Sequence, residues 1–279
     1  MESDLFCSIP LHDDEIEKLS RFVFDNFGIN LTEAKRGLVS GRLHSVLKKH
    51  GFTSFLEYYE AMKEDRNGLL LSEFINKIST NFTYFYRESD HFDLLRTTIL
   101  PSYEHELKNK DLRIWCAGCS SGEEPYTVTM ALLEYFREKY AQWKAGVLAT
   151  DISEDVLKFA KAAVYPEDRL KMLPKEWVKR YFKSLPNDQF QVKEKVLSEV
   201  HFGRLNLMNG KYPFRSRFHI VFCRNVMIYF DQPTKNDLID RFVDILHPGG
   251  YLFIGHSETI SRSHPKLSFV RPSVYRKLQ

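Results

Sequence analysis

The chain has 279 residues, 43% of them hydrophobic, with 40 Lys and Arg against 37 Asp and Glu for a formal charge of +3. That is enough apolar material for one packed domain with a small companion, and the near-balance of charge argues against a general nucleic-acid or polyanion binder. No run approaches the roughly 18 apolar residues of a membrane span, and Met1-Glu2-Ser3-Asp4-Leu5 lacks the basic start of a signal peptide. The four cysteines (Cys7, Cys116, Cys119, Cys223) are too scattered for a disulfide framework, so the chain is expected in the cytoplasm with reduced thiols.

From His12 to about Ile78 apolar residues recur at helical spacing: Ile16, Leu19, Phe22 and Val23, then Val39, Leu43, Val46 and Leu47, then Phe55, Tyr58, Tyr59 and Met62. Gly28, Gly51 and Gly68 fall in the breaks, as residues that close one helix before the next. An all-α N-terminal domain is expected over residues 1–80. Between Ala34 and Leu56 it carries five basic residues and no acidic one. Lys35, Arg42 and Lys49 are seven apart on one helix face, flanked by Arg36 and Lys48. The stripe reads either as a solvated face or as a docking surface.

Past Asn81-Phe82-Thr83-Tyr84-Phe85-Tyr86-Arg87-Glu88 strands and helices alternate over residues 81–279. Leu112 to Cys116 reads as a strand, Glu123 to Tyr140 as a helix, Gly146 to Thr150 as a strand and Glu154 to Ala163 as a helix. His219 to Cys223 and Tyr251 to Gly255 are short apolar runs typical of buried parallel strands, with a helix from Thr234 to Leu246 between them. This predicts a doubly wound α/β sheet. The stretch from Tyr181 to Phe202 breaks the alternation and is expected to form a small β insertion at about 181–202.

The strongest chemical signal is Ala117-Gly118-Cys119-Ser120-Ser121-Gly122-Glu123-Glu124-Pro125-Tyr126, set between a strand and a helix. Small residues there let the backbone turn sharply at the carboxyl end of the first strand, where open α/β sheets bind ligands. A dinucleotide would need pyrophosphate on the helix N-terminus, and Glu123 with Glu124 would repel it. A nucleoside ligand with a cationic amine and no phosphate fits better, and S-adenosylmethionine has both properties. Asp151, closing the second strand, is placed to accept from ribose hydroxyls; capping of the next helix is the other reading, a role Ser153 fills equally well. Asn206-Leu207 closes an expected third strand, where the Asn faces an adenine edge.

The fourth strand runs into Cys223-Arg224-Asn225-Val226-Met227-Ile228-Tyr229-Phe230, without the Asn-Pro-Pro-aromatic run that grips a flipped base. Tyr229 either orients a carboxylate through its hydroxyl or packs in the core. Cys116-x-x-Cys119 has no second Cys or His pair at zinc-site spacing, so no metal is expected. A catalytically silent cofactor-binding scaffold and a nucleic-acid methyltransferase are the alternatives to a protein methyltransferase.

These residues resemble the CheR-type chemotaxis protein methyltransferases over nearly the whole chain. The resemblance is carried by Asn81-Phe-Thr-x-Phe-Tyr-Arg87, Ser121-Gly-Glu-Glu-Pro-Tyr126, Phe222-Cys-Arg-Asn-Val-Met-Ile-Tyr-Phe-Asp231 and Gly255-His-Ser-Glu258. It implies methyl transfer from S-adenosylmethionine, leaving S-adenosylhomocysteine, to glutamate side chains in the cytoplasmic helical bundle of chemoreceptors. By motif, Asn81, Thr83, Arg87, Glu124, Asp151, Asn206, Leu207, Arg224 and Asn225 would contact the cofactor, with Arg87 and Tyr229 nearest the reacting carboxylate. Glu124 is taken over Glu123 by register alone. The enzyme is expected to be a monomer that docks its receptor by Lys35, Arg36, Arg42, Lys48 and Lys49. A carboxylate is already deprotonated near neutral pH, so its attack on a sulfonium methyl needs no general base.

Overall fold

The computed structural model describes residues 9–65, 68–78, 82–261 and 264–279. Two compact units divide the chain: one takes in residues up to 81 together with Tyr229–Asp231, the other the remainder.

The first unit is helical: α1 (Asp13–Phe27), α2 (Arg36–His50), α3 (Phe55–Glu64) and α4 (Leu69–Ile78). Its apolar stripes meet in a core where Leu19, Val23, Val39, Leu43, Phe55, Tyr58 and Phe74 are fully buried. Glu15 secures the start of α1, taking the His12 N–H at 2.9 Å, and its other oxygen takes the Leu56 N–H at 2.8 Å, so one carboxylate caps two helices. The basic stripe of α2 is largely engaged within this unit, which alters the expectation of an open cationic face. Arg36 pairs with Asp13 at 2.6 Å and Glu33 at 2.9 Å, Lys49 pairs with Glu73 at 3.0 Å, and Lys35 donates to the Asn30 carbonyl at 2.8 Å. Arg42 caps α4 through the Ile78 carbonyl at 3.0 Å. Acidic residues are absent from the 34–56 segment, but the fold brings them to it from elsewhere.

The second unit opens with α5 (Ser89–Leu94) and α6 (Leu100–Glu106), which the apolar periodicity did not single out. The alternation follows: β1 (Asp111–Ala117), α7 (Glu123–Phe136), β2 (Lys144–Asp151), α8 (Glu154–Ala162), β3 (Val164–Pro166), α9 (Lys175–Tyr181), β4 (Phe182–Leu185), β5 (Gln189–Val192), α10 (Glu194–Leu197), β6 (Val200–Arg204), β7 (Phe218–Cys223), α11 (Gln232–Ile245), β8 (Leu246–Ile254), β9 (Leu267–Arg271) and β10 (Val274–Lys277). The main sheet runs β6-β2-β1-β7-β8-β10-β9, parallel from β6 to β8 and antiparallel beyond. The chain steps outward from β1 through β2 to β6, then returns to place β7 on the other flank of β1. That reversal opens a crevice at the carboxyl ends of β1 and β7, the usual ligand position in such sheets.

Two boundaries differ from the sequence reading. The small sheet is β3-β5-β4, drawn from residues 164–192 rather than 181–202, and β6 lies parallel to β2 in the main sheet, from Val147 opposite Val200 to Asp151 opposite Arg204. An edge strand covered on one side keeps polar residues, so composition alone did not separate it from the insertion. The helix expected to reach Tyr140 ends at Phe136, where Arg137 turns to φ 49° and a short 3₁₀ turn continues to Gln142. No helix among the described residues is long and apolar enough to cross a membrane.

Candidate active site

The loop after β1 doubles back through left-handed residues, with φ 78° at Gly118, 48° at Ser120 and 94° at Gly122. Gly122 has a second constraint: a Cβ there would lie 2.9 Å from Ala160 Cβ and 3.0 Å from the Tyr165 hydroxyl. The end of β2 holds the loop in place. The Thr150 carbonyl accepts the Gly118 and Cys119 N–H groups at 2.8 and 2.9 Å, and Asp151 takes the Ser120 N–H at 2.8 Å and the Ser153 N–H at 3.0 Å. Helix α8 is capped by the Ser153 hydroxyl, which accepts from Val156 at 3.2 Å, so Asp151 is not the cap. Burial pushes the Asp151 carboxyl upward against the pull of its backbone N–H bonds.

The two glutamates that begin α7 part ways. Glu123 is fully buried, accepts the Ser121 hydroxyl at 2.6 Å and pairs with Arg169 at 3.0 Å. Arg169 also donates to the Thr83 carbonyl and lies over the Phe82 ring. Glu123 therefore ties the loop to the 82–88 segment. Glu124 instead faces Arg224, whose Nη1 donates to it at 3.0 Å, and the Cys116 thiol also bonds its carboxylate.

Arg224, only 3% exposed, is the hub of this corner. Its Nε and Nη2 donate to Glu88 at 3.2 and 3.0 Å, Nη2 also reaches the Arg87 carbonyl, and the guanidinium lies over the Phe92 ring. Two carboxylates thus share one guanidinium, leaving one uncompensated negative charge. The sharing is uneven. Burial alone would raise Glu88, but the Arg224 charge and hydrogen bonds outweigh it and hold its carboxyl below the usual range. Burial raises Glu124 despite the same guanidinium, and the charge of Glu88 adds to that. Glu124 is the carboxylate still in want of a cation.

Arg87, the residue before Glu88, is half-buried, donating from Nη1 to the Phe82 carbonyl at 3.0 Å. No carboxylate among the described residues pairs with it, whereas Arg169 and Arg224 both hold acids. His91 is fully buried with neither ring nitrogen bonded, and burial first, then Arg224, lowers its pKa to about 3, so it is neutral. Glu88, His91 and His256 bring ligand atoms within 4.8 Å of one another, but the guanidinium already on Glu88 opposes a dication there.

The loop after β7 is fixed by a carboxylate absent from the sequence-derived site. Glu258, 6% exposed, accepts from Gly255 at 2.6 Å, Asn225 at 3.0 Å and Ile228 at 3.2 Å. Asn225 stands at φ 59° with its Nδ2 3.4 Å from Glu88. Gly255 is in turn obligatory, since a Cβ would fall 2.8 Å from the Asn225 nitrogen. The site residues inferred from sequence divide as follows. Thr83, Arg87, Glu124, Arg224 and Asn225 are linked through Glu88 and Arg169, and Asp151 joins the loop. Asn206 makes its own turn with Met208 at 2.9 Å, and the Leu207 carbonyl accepts from Tyr212 at 3.0 Å, just beyond the end of β6. Tyr229 groups with the helical unit, its carbonyl accepting the Asn30 N–H at 2.8 Å. Asn81 lies outside the described residues.

Comparison with known proteins decides the family. Residues 81–275 match "CheR methyltransferase, SAM binding domain" and residues 14–79 match "CheR methyltransferase, all-alpha domain". The chain belongs to the CheR methyltransferase family. A chemotaxis protein methyltransferase of Borreliella burgdorferi is 47% identical over 97% of this chain and 96% of its own length. That of Escherichia coli is 34% identical over 96% and 92%, and one from Pseudomonas aeruginosa 37% over 88% and 90%. The cofactor of this methyltransferase is S-adenosylmethionine, and the glycine loop, the under-neutralised Glu124 and the loop-bound Asp151 suit a nucleoside bearing an ammonium.

Sequence reasoning missed Glu88, Arg169 and Glu258. Glu258 closes one of the motifs that carried the resemblance and Glu88 directly follows another; Arg169 had no local signal.

Proposed function

We propose that this CheR-family enzyme methylates glutamate carboxylates on the cytoplasmic helical bundle of chemoreceptors, forming methyl esters in the cytoplasm. The observation that carries the carboxylate substrate is Arg87: a half-buried guanidinium that pairs with no acid among the described residues, whereas Arg169 and Arg224 each hold one. Such a group receives an incoming carboxylate and fixes its orientation. The reaction needs no proton removed, and the buried neutral imidazole of His91 is not placed to remove one.

When bound, the cofactor supplies an activated methyl on a sulfonium. Glu124 would take its ammonium and Asp151 its ribose hydroxyls, with Thr83, Arg87, Asn206, Leu207, Arg224 and Asn225 as the remaining contacts. Arg87 would hold the reacting carboxylate. Alignment of nucleophile, methyl and leaving sulfur supplies roughly 7–11 kcal/mol in favourable cases. The receptor docks a monomer through α2. Arg42 caps α4, so charge reversal there mixes folding with docking. Lys48 and Lys49 are the positions to reverse, with the exposed Lys49 pair to Glu73 lost in the exchange.

Transfer of labelled methyl to receptor cytoplasmic fragments tests the reading: base-labile label is expected, and base-stable label overturns it. Arg87→Ala should abolish transfer with the fold intact, and normal turnover would remove Arg87 from the mechanism. Lys48→Glu with Lys49→Glu should weaken receptor use more than cofactor binding; equal loss of both would count against docking.

A further inference from the structure

We propose that Glu88 is a positioning residue of the cofactor site, holding Arg224 so that Glu124 keeps an uncompensated charge for the cofactor's ammonium. The inference rests on the assignment of Glu124 to that ammonium. Glu88 touches neither cofactor nor substrate in this scheme; it acts through the guanidinium.

Three observations converge on it. The first is backbone conformation. Glu88 stands at φ 55°, ψ 62°, a left-handed geometry suited to glycine or asparagine, and Tyr86 two residues earlier stands at φ 64°. A long acidic side chain at such a position indicates that the side chain is what the site requires. The second is convergence of donors. Arg224 Nε and Nη2, Asn225 Nδ2 and the His256 N–H all point at this carboxylate, at 3.2, 3.0, 3.4 and 3.2 Å. The third is charge. With Glu88 in place, Arg224 serves two acids. Without it the guanidinium would pair with Glu124 alone, and the acid at the start of α7 would have little attraction left for an ammonium.

Neighbouring ionisable groups do not take over the role. His91 lies 3.6 Å from Glu88 but is neutral, and His256 and Arg271 both pair with Asp90, at 3.1 and 3.3 Å. Glutamine at position 88 would keep the shape and lose the charge. One of its two ends would also turn an N–H toward donors that now meet an oxygen.

The test is calorimetry on the full chain with S-adenosylhomocysteine and its analogue lacking the α-amino group. Wild-type protein should prefer the amine-bearing ligand by on the order of tenfold or more. Glu88→Gln should weaken S-adenosylhomocysteine binding by about tenfold, leave the deaminated analogue nearly unchanged, and so remove most of the preference. Glu88→Asp, which retains the charge on a shorter stem, should recover part of it. Equal weakening of both ligands in Glu88→Gln, unchanged binding of both, or an Asp variant no better than Gln would overturn the proposal. Wild-type protein that binds both ligands alike would overturn the Glu124 assignment and this proposal with it. That outcome is distinguishable because it appears before any substitution is made.

Discussion

Adjacent glutamates at one helix N-terminus have different partners, and substitution should separate them. Glu123 is saturated by Ser121 and Arg169 and has no exposed surface, so Glu123→Gln should cost about 1–3 kcal/mol of stability while cofactor affinity changes little. Glu124→Gln should do the reverse. Its carboxyl is raised by burial, so an amide is easier to bury in the free protein, and the unfolding temperature should hold or rise while cofactor affinity falls by on the order of tenfold. Calorimetry and thermal unfolding of the two variants decide the matter; equal damage to cofactor binding from both would refute the division. The acidic pair and its preference for a cation over a phosphate were legible in the sequence, because both depend on residues contiguous in the chain. Which partner each glutamate takes was not: Arg169 and Arg224 lie 46 and 100 positions away from the glutamates they pair with.

At the scale of elements, the same contrast separates central strands from edges. β7 is buried along its whole length, and its continuous apolar run announced a central parallel strand. β6 and the β9–β10 hairpin carry mostly exposed or partly exposed positions and no continuous apolar run, which is why one was assigned to the insertion and the other passed over. What sequence pattern cannot carry is how two strand ends are joined at the site. Here the joint is Glu258, whose two oxygens accept backbone N–H groups from the loop after β7 and from the end of β8. Whichever way the amide of Glu258→Gln is turned, an N–H meets an N–H. The expected loss is about 2 kcal/mol, or roughly 4–8 °C in the unfolding midpoint for a domain of this size. Turnover should fall with it, because Asn225 loses its anchor. A variant with unchanged melting and turnover would show that the loop does not depend on this carboxylate.

For the molecule as a whole, stability against pH sums groups of opposite sign, and one histidine can be isolated by difference. His219 is buried at the amino end of β7, takes the Arg113 N–H on Nδ1 at 3.1 Å and stacks on His247 at 4.3 Å. Burial, reinforced by His247 and Arg113 and opposed by Asp111, lowers its pKa from 6.5 to about 4. The unfolded chain therefore binds a proton at this residue below pH 6.5 while the folded chain does not until about pH 4. Stability is fully present above 6.5 and drains away as pH falls toward 4, by about 1.4 kcal/mol per pH unit. His91 acts with the same sign down to about pH 3. The raised carboxyls of Asp151, Glu124 and Glu258 act oppositely, losing stability as pH rises through their folded values. A wild-type pH curve alone would blend these contributions. His219→Asn keeps an acceptor for the Arg113 N–H and removes the titration. The difference between wild-type and variant unfolding free energies should be flat above pH 6.5 and fall with the stated slope between 6.5 and 4. A difference that stays flat across that window would mean the imidazole is protonated in the folded protein as readily as in the unfolded chain.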